Sequence, residues 1–262
     1  MTTGENKLKG GVAVVTGAGA GIGSGLARRA AELGMTVIVT DVSSQSAEKV
    51  CQEIIEAGGK AEAMTIDVSI SSNLDELAEA VYITSTATSV SSSTTQESRR
   101  WDSSGKSRLH AGKHHLISIC MESFTACVRS CLACSHQEKS AGLRIYPRSG
   151  PLFLEMQLKK APIHVSSVIP GMLKTSIFDA SAGKDEPESA AQYRTTMREM
   201  MKEHGMDLDA GCRLIMEQIA AGNFWVSTQP QMASEALRSQ MKFMEGQRDP
   251  EIGEAARYIL GV

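Results

Sequence analysis

The chain has 262 residues, a formal net charge of −3 and 42% hydrophobic residues. This length suits a single α/β domain with a sizeable core, and the small net charge argues against a nucleic-acid partner or an anionic membrane surface. No apolar run is long enough to span a membrane, and the polar start of the chain, Met1 to Lys9, lacks the apolar segment of a signal peptide. We therefore expect a cytoplasmic protein with reduced thiols.

Alternating strands and helices are predicted over the first third of the chain. The apolar run Val12 to Val15 predicts a buried strand, and Gly21 to Leu33 predicts a helix that Gly34 ends. Two more strand–helix pairs follow, with strands at 36–40 and 61–66 and helices at 46–57 and 74–81. The alternation indicates a Rossmann-type, doubly wound parallel sheet in a three-layer α/β/α domain.

A glycine-rich turn, Thr16-Gly-Ala-Gly-Ala-Gly-Ile-Gly23, joins the first strand to the first helix. Gly17 permits the tight turn, Gly21 lets backbone approach a pyrophosphate, and Gly23 lets the helix pack close to the strand. The helix N-terminus then offers free N–H groups and a partial positive charge to phosphates. The turn predicts a dinucleotide-binding loop whose contact residues are Gly17, Gly19, Gly21, Ile22 and Gly23.

Two carboxylates follow the next two predicted strands. Asp41 ends the second strand, 18 residues after Gly23, where it can accept hydrogen bonds from the 2′-OH of the adenosine ribose. It would repel a 2′-phosphate and so favours NAD over NADP, although a turn or helix-capping role is the structural alternative. Asp67, followed by Val68, could contact the adenine amino group or serve as an ordinary turn residue.

Together, the glycine turn, Asp41 and the Asp67-Val68 pair resemble the short-chain dehydrogenase/reductase family. A later segment, Val165 to Thr175, agrees with this resemblance. In that family a strand ends in Pro-Gly, and a threonine a few residues later contacts the nicotinamide carboxamide. The positions that match this pattern are Pro170, Gly171, Leu173 and Thr175.

The resemblance covers roughly residues 8–82 and 151–230, where Cys212 to Ala221 and Asn223 to Thr228 match the last helix and strand of the family. It implies an NAD(P)-dependent oxidoreductase that interconverts a small-molecule carbonyl and alcohol by hydride transfer. The cofactor is NAD or NADP, with NAD favoured by Asp41. Because oligomers are common in the family, a homo-oligomer is also possible.

The catalytic residues of the family are absent from this chain. They are a serine and a Tyr-x-x-x-Lys pair, in which the lysine and cofactor lower the pKa of the tyrosine for proton transfer. The positions four residues after Tyr82, Tyr146, Tyr193 and Tyr258 hold Thr, Gly, Met and Val. We therefore assign no catalytic residue, and we expect this polypeptide to be inactive.

The segment 84–150 does not fit the family. It holds nine serines between Thr84 and Ser107, and four cysteines and four histidines between His110 and His136. It suggests no clear fourth or fifth strand. Three interpretations compete: a disordered serine-rich insertion, a metal site, or translation in a shifted reading frame. The metal interpretation is the weakest because Cys131-x-x-Cys134, near Cys127 and His136, lacks a second pair at zinc-site spacing.

The genetic code favours the shifted frame. In that frame, codons overlapping Ser89 to Asp102 permit RLLVNNAGIEAVG, which resembles the fourth strand and the Asn-Asn-Ala-Gly motif of the family. Codons over Ser118 to Leu132 permit its next helix, and those over Ala141 to Gly150 permit its fifth strand with the catalytic serine. A further lost segment would account for the missing Tyr and Lys. We expect the segment 84–150 to fold poorly, and a non-catalytic dinucleotide-binding protein, or the product of a faulty gene model, is the alternative function.

Two later segments also carry apolar residues. Ser176 to Glu203 follows Thr175 and corresponds to the family's substrate-covering region, although a helix that packs on the core is the simpler role. It holds Phe178, Tyr193, Met197, Met200 and Met201; those from Tyr193 onward are at helical spacing, and the methionines would suit a bulky apolar substrate. The second segment, Ser234 to Glu245, reads as an amphipathic helix with Ala236, Leu237, Met241 and Met244 near one face.

Overall fold

The computed structural model describes residues 8–70, 115–119, 141–146, 164–179 and 188–231, with further positions between 72 and 81 and between 234 and 246. Within these residues, seven strands form one parallel sheet in the order β3-β2-β1-β4-β5-β6-β7. They are β1 (Val12–Val15), β2 (Thr36–Asp41), β3 (Lys60–Thr65), β4 (His115–Ile119), β5 (Ala141–Tyr146), β6 (His164–Ile169) and β7 (Trp225–Ser227). This order is that of a doubly wound Rossmann sheet, so the predicted fold class is confirmed.

The helices with defined ends in the described part of the chain are α1 (Gly21–Glu32), α2 (Ser44–Glu56), α3 (Glu188–His204) and α4 (Leu208–Ala220). Two of them begin at side-chain caps. The hydroxyl of Ser43 accepts the N–H of Ser46 (3.3 Å), and the carboxylate of Asp207 accepts the N–H of Ala210 (3.1 Å). The second cap starts α4 four residues before the predicted Cys212. The described positions between 72 and 81 are helical too, as predicted.

Both faces of the central strands are buried because β1 and β2 alternate their apolar side chains between two layers. Ala13 and Val15 pack with residues of α1 and α4 in the larger core cluster. Val12 and Val14 point to the other face, where they meet Leu77 of the helical segment near 72–81. Burial on both faces explains why these strands read as continuous apolar runs rather than as an alternating pattern.

Strands β4 and β5 correct one expectation from the sequence. The segment 84–150 suggested no fourth or fifth strand, yet β4 pairs with β1 and β5 pairs with β4 and β6, all in parallel. The apolar runs in these strands are short and carry no family motif. Because β1 and β6 would otherwise leave backbone N–H and C=O groups unpaired, the sheet itself selects these runs as strands.

Several sequence predictions fall on positions that the structure does not describe. Apart from β4 and β5, the segment 84–150 lies outside the described residues, including the cysteine–histidine group Cys127, Cys131, Cys134 and His136. The described positions from Ser234 to Glu245 are helical, but Ala236, Leu237 and Met244 are not among those described. Among the helices that are described, none combines the length and the apolar composition that a membrane crossing requires.

The contact between α1 and α4 predicts a coupled pair of substitutions. A Cβ at Gly25 would lie 2.6 Å from Sγ of Cys212, so Gly25→Ala should lower the free energy of unfolding by about 1–3 kcal/mol. In a Cys212→Ala background the sulfur is absent, so Gly25→Ala should lower the free energy of unfolding much less, because alanine at position 25 favours the helix by about 1 kcal/mol. Denaturant unfolding of the unsubstituted chain, the two single variants and the double variant measures the coupling, and additive effects would contradict the proposed contact.

The same thiol predicts a pH dependence. Burial, followed by the nearby carboxylate of Asp209, raises the pKa of Cys212 from its ordinary 9.0 to about 12. Between these values the unfolded chain has lost the proton and the folded chain keeps it. Stability should therefore fall by about 1.4 kcal/mol per pH unit above pH 9.

Unfolding curves near pH 8 and near pH 10.5 check this decline, with Cys212→Ala as the control. The unsubstituted chain should lose about 2 kcal/mol more than the variant between the two conditions. Burial also raises the pKa of Cys51, but Cys51 is present in both chains and so cancels in the comparison. Equal losses in the two chains would show that Cys212 ionises as easily in the folded protein as in the unfolded one.

Candidate functional site

The glycine turn lies at the carboxyl end of β1, at the centre of the sheet. β1 pairs with β2 on one side and β4 on the other, so the connections diverge from this strand in opposite directions. Such a divergence opens a crevice above the strand ends, which is where doubly wound sheets bind ligands. The topology therefore places the predicted dinucleotide-binding loop at the edge where a ligand site is expected.

The conformation of the turn depends on three glycines. Gly17 and Gly21 have φ values of +60° and +54°, in the left-handed region that side chains disfavour. A Cβ on Gly23 would collide with the carbonyl oxygen of Gly17. These constraints let α1 start directly after the turn, while the side chain of Ile22 packs against the core.

The first turn of α1 leaves its backbone N–H groups without a side-chain cap. Ala20 is the capping residue and supplies no hydrogen bond from its side chain, and no acidic residue lies in the first turn of this fully described helix. These N–H groups and the positive end of the helix dipole can therefore receive an anion.

Asp41 joins the end of β2 to the glycine turn. Its Oδ2 accepts the N–H of Gly19 (2.9 Å), and its Oδ1 accepts the N–H of Ser43 (3.0 Å). Ser43, rather than Asp41, caps α2. The carboxylate thus stabilises the turn after β2 and also holds the glycine turn, while each oxygen keeps a second lone pair for a ligand.

Asp67 follows β3 and makes a local turn. Its Oδ1 accepts the hydroxyl (2.6 Å) and the N–H (2.9 Å) of Ser69, and these hydrogen bonds hold the pKa of Asp67 below its ordinary value. Both bonds end on one oxygen, so Oδ2 is the atom that a ligand could contact. The next residue, Val68, is half-buried and packs against the smaller core cluster.

The loop after β6 is held in place by residues that follow β7. The hydroxyl of Thr228 donates to the carbonyl of Pro170, and the side-chain oxygen of Gln229 accepts the N–H of Met172 (2.8 Å). Gly171, with φ of +62°, has no room for a Cβ beside Gln229. No local pattern in the sequence indicates this support, because Thr228 and Gln229 lie 58 and 57 residues along the chain from their partners.

Leu173 and Thr175 of this loop point in different directions. The side chain of Leu173 is 2% exposed and packs against Gly211 of α4, so it belongs to the core rather than to an open site. Thr175 instead faces the glycine turn, since a Cβ on Gly21 would lie 3.7 Å from its Cγ2. The fold therefore brings together two predicted site residues that are 154 positions apart in the chain.

A cavity of about 300 Å³ lies beside this contact. Its walls include Gly21 and Thr175, together with residues of α3 and of the short turn after Thr175. Phe178 and Met201, from the predicted substrate-covering segment, line it, whereas Tyr193 is 41% exposed and is not among its lining residues. The sulfur of Met201 accepts the N–H (3.4 Å) and the hydroxyl (3.8 Å) of Thr175.

Three cationic residues of the cavity wall were missed from the sequence: Lys174, Arg198 and Lys202. They fit no motif, and only the proximity of Lys174 to the matched Pro-Gly segment could have suggested one of them. Their convergence depends on how α3 packs against the loop after β6.

Comparisons with known proteins bear on the fold that carries this site. The short chain dehydrogenase family model matches residues 11–86. A cyclohexanol dehydrogenase from Acinetobacter sp. is 47% identical over 59 residues, which are 22% of this chain and 24% of that protein. The chain therefore matches about a quarter of the length of this curated relative, and the match is confined to one segment.

Solved structures match over most of the chain. A short-chain dehydrogenase/reductase from Burkholderia phymatum in complex with NAD superposes with a TM-score of 0.69, at 18% identity, over 94% of this chain and 98% of its own. The actinorhodin polyketide ketoreductase with NADPH gives a TM-score of 0.56, at 17% identity, over 87% of this chain and 97% of its own. At these identities the likeness concerns the fold.

The hydrogen bond between Asp41 and Gly19 predicts a change in backbone protection. Asp41→Ala removes the acceptor, so the amide proton of Gly19 should exchange with solvent about tenfold faster or more. Asp41→Asn keeps an oxygen acceptor and should show a smaller change, and Ser43→Ala, which leaves the carboxylate intact, is the control. Hydrogen exchange followed by NMR or mass spectrometry checks the result. Unchanged exchange in Asp41→Ala would show that Gly19 is protected by something else.

Proposed function

This chain belongs to the short-chain dehydrogenase/reductase family, and from that premise we propose that it binds a nicotinamide dinucleotide along the carboxyl edge of its sheet. The proposed contact residues run from the glycine turn through Asp41 and Asp67 to Thr175. The family chemistry is the interconversion of a small-molecule carbonyl and alcohol. We further propose that the polypeptide as written binds the cofactor without turning it over.

The observation that carries this proposal is the convergence of the glycine turn, Asp41 and Thr175. Asp41 bonds to Gly19 at one side of the turn, and Thr175 contacts Gly21 at the other. A Cβ on Gly19 would lie 2.6 Å from Cβ of Ser46 and 2.8 Å from Oδ2 of Asp41, so backbone alone can form this part of the site. A backbone cradle at a helix N-terminus fits a diphosphate.

The nicotinamide ring, when bound, supplies the hydride that the reaction transfers. The residues of the chain would orient it: the N–H groups at the start of α1 would hold the diphosphate, and the hydroxyl of Thr175 would contact the carboxamide. That hydroxyl, which now donates to the sulfur of Met201, would exchange this weak acceptor for a better one. Val68 and Asp67 would contact the adenine.

The absence of a Tyr-x-x-x-Lys pair from the sequence supports the proposal that turnover is lost. In the family this tyrosine passes a proton to or from the substrate oxygen as the hydride moves. The only tyrosine with a described side chain, Tyr193, is followed four positions later by Met197. A shifted reading frame and a lost segment within 84–150 would explain the absence, and this interpretation stays a prediction.

A non-catalytic dinucleotide sensor or scaffold is the second candidate, and it is favoured by the same combination of an intact glycine turn with a missing proton donor. The two candidates differ in how the polypeptide arose, from an enzyme that lost its catalytic residues or from a protein that acts only by binding, and not in what this polypeptide does. Both predict binding, whereas the product of a faulty gene model with no stable site predicts none.

Titration of the purified full chain with NADH and NADPH tests the proposal. The carboxylate of Asp41 would lie beside the 2′-position, so NADH should bind at least about tenfold more tightly than NADPH. Asp41→Ala should reduce this preference by relieving the repulsion of the 2′-phosphate. Lys60→Met, at the amino end of β3, should leave the preference unchanged.

Nicotinamide fluorescence checks the affinities, and absorbance at 340 nm with a panel of alcohols and ketones checks turnover. We expect binding and no turnover. Measurable turnover would refute the loss of activity, and failure of both dinucleotides to bind would refute the proposed site.

A further inference from the structure

The cavity beside Thr175 has a marked excess of positive charge. Its walls carry Lys174, Arg198 and Lys202, against the single carboxylate of Asp179. Gly21, where α1 begins, also lines the cavity, and the helix dipole adds further positive potential there. An anion in this cavity would be attracted by the cationic side chains and by the helix N-terminus.

Arg198 is already engaged in a structural role. Its Nε lies 3.0 Å from Oδ1 of Asp179, and its Nη2 donates to the carbonyl of Phe178 (2.6 Å). These contacts fasten the turn after Thr175 to α3 and neutralise the charge of the guanidinium. Asp179 is therefore paired with Arg198, and among the described residues no ion pair joins it to Lys174 or Lys202.

Lys174 and Lys202 are the cations left for a ligand. Among the described residues, neither ammonium group has an ion pair or a hydrogen bond with a protein partner, and both side chains are exposed. Because both lysines line the same cavity, an anion bound there would be attracted to both.

The backbone around both lysines is well anchored. The N–H of Lys174 donates to the carbonyl of Met206 (2.9 Å), and its aliphatic stem passes close to Gly205, where a Cβ would lie 3.0 Å from its Cγ. Lys202 follows Met201, whose sulfur accepts hydrogen bonds from Thr175. Both lysines are thus positioned by contacts to the same loop that presents Thr175.

We propose that Lys174 and Lys202, which line the same cavity as Gly21, bind the diphosphate of the dinucleotide together with the glycine turn. This inference rests on the proposed function. The diphosphate carries one negative charge on each phosphate, which matches the two uncompensated ammonium groups. Because Gly21 lines the same cavity, the backbone N–H groups of α1 and the two lysines would bind the diphosphate together.

Binding of NADH, ADP-ribose and adenosine to the full chain tests the inference, because only the first two carry the diphosphate. Lys174→Met and Lys202→Met should each weaken NADH and ADP-ribose by about five- to tenfold and leave adenosine unchanged. Lys202→Arg should restore most of the affinity. The matched control is Lys60→Met, an exposed lysine at the amino end of β3, which should change nothing.

The salt dependence of binding by the unsubstituted chain gives a second measurement. The affinity of the unsubstituted chain for NADH should fall steeply as salt rises, while its affinity for adenosine should stay nearly constant. If a chain that carries both Lys174→Met and Lys202→Met binds NADH with unchanged affinity and unchanged salt dependence, this inference is overturned and the proposed function stands. If the unsubstituted chain binds neither NADH nor ADP-ribose, the proposed function and this inference are both overturned.

Discussion

The close approach of Gly23 to the carbonyl of Gly17 is the constraint on which the rest of the site depends. It leaves no room for a side chain and lets α1 begin directly above the end of β1. The N-terminus of α1 consequently faces the crevice at the centre of the sheet. Asp41 can then reach the N–H of Gly19, and Thr175 can reach Gly21 from the far side of the crevice.

A second close approach carries this geometry to the C-terminal half of the chain. Gly25 of α1 has no space for a side chain beside Cys212, so α4 lies directly against α1. Leu173 packs in turn against Gly211 of α4, and this contact positions the loop that carries Thr175 relative to α4. The two halves of the proposed cofactor site are therefore connected by helix packing as well as by β4 and β5, which lie between β1 and β6 in the sheet.

The connection through the sheet passes through the divergent segment 84–150. The described residues of that segment are β4 and β5, which complete the sheet without adding any family motif. An internal strand of a parallel sheet requires only apolar residues and a matching register, so a segment without the family motifs can still form part of the sheet. Catalysis requires particular side chains in particular places, and the sequence contains no Tyr-x-x-x-Lys pair.

The sequence alone determined the elements from β1 to β3, the glycine turn and the end of the Pro-Gly strand, because local periodicity and backbone conformation are written in neighbouring residues. The tertiary structure decided which of the matched residues meet, burying Leu173 while exposing Thr175 to the cavity. It also selected β4 and β5 and gathered Lys174, Arg198 and Lys202 around one cavity. These outcomes depend on contacts between residues far apart in the chain, which no local pattern encodes.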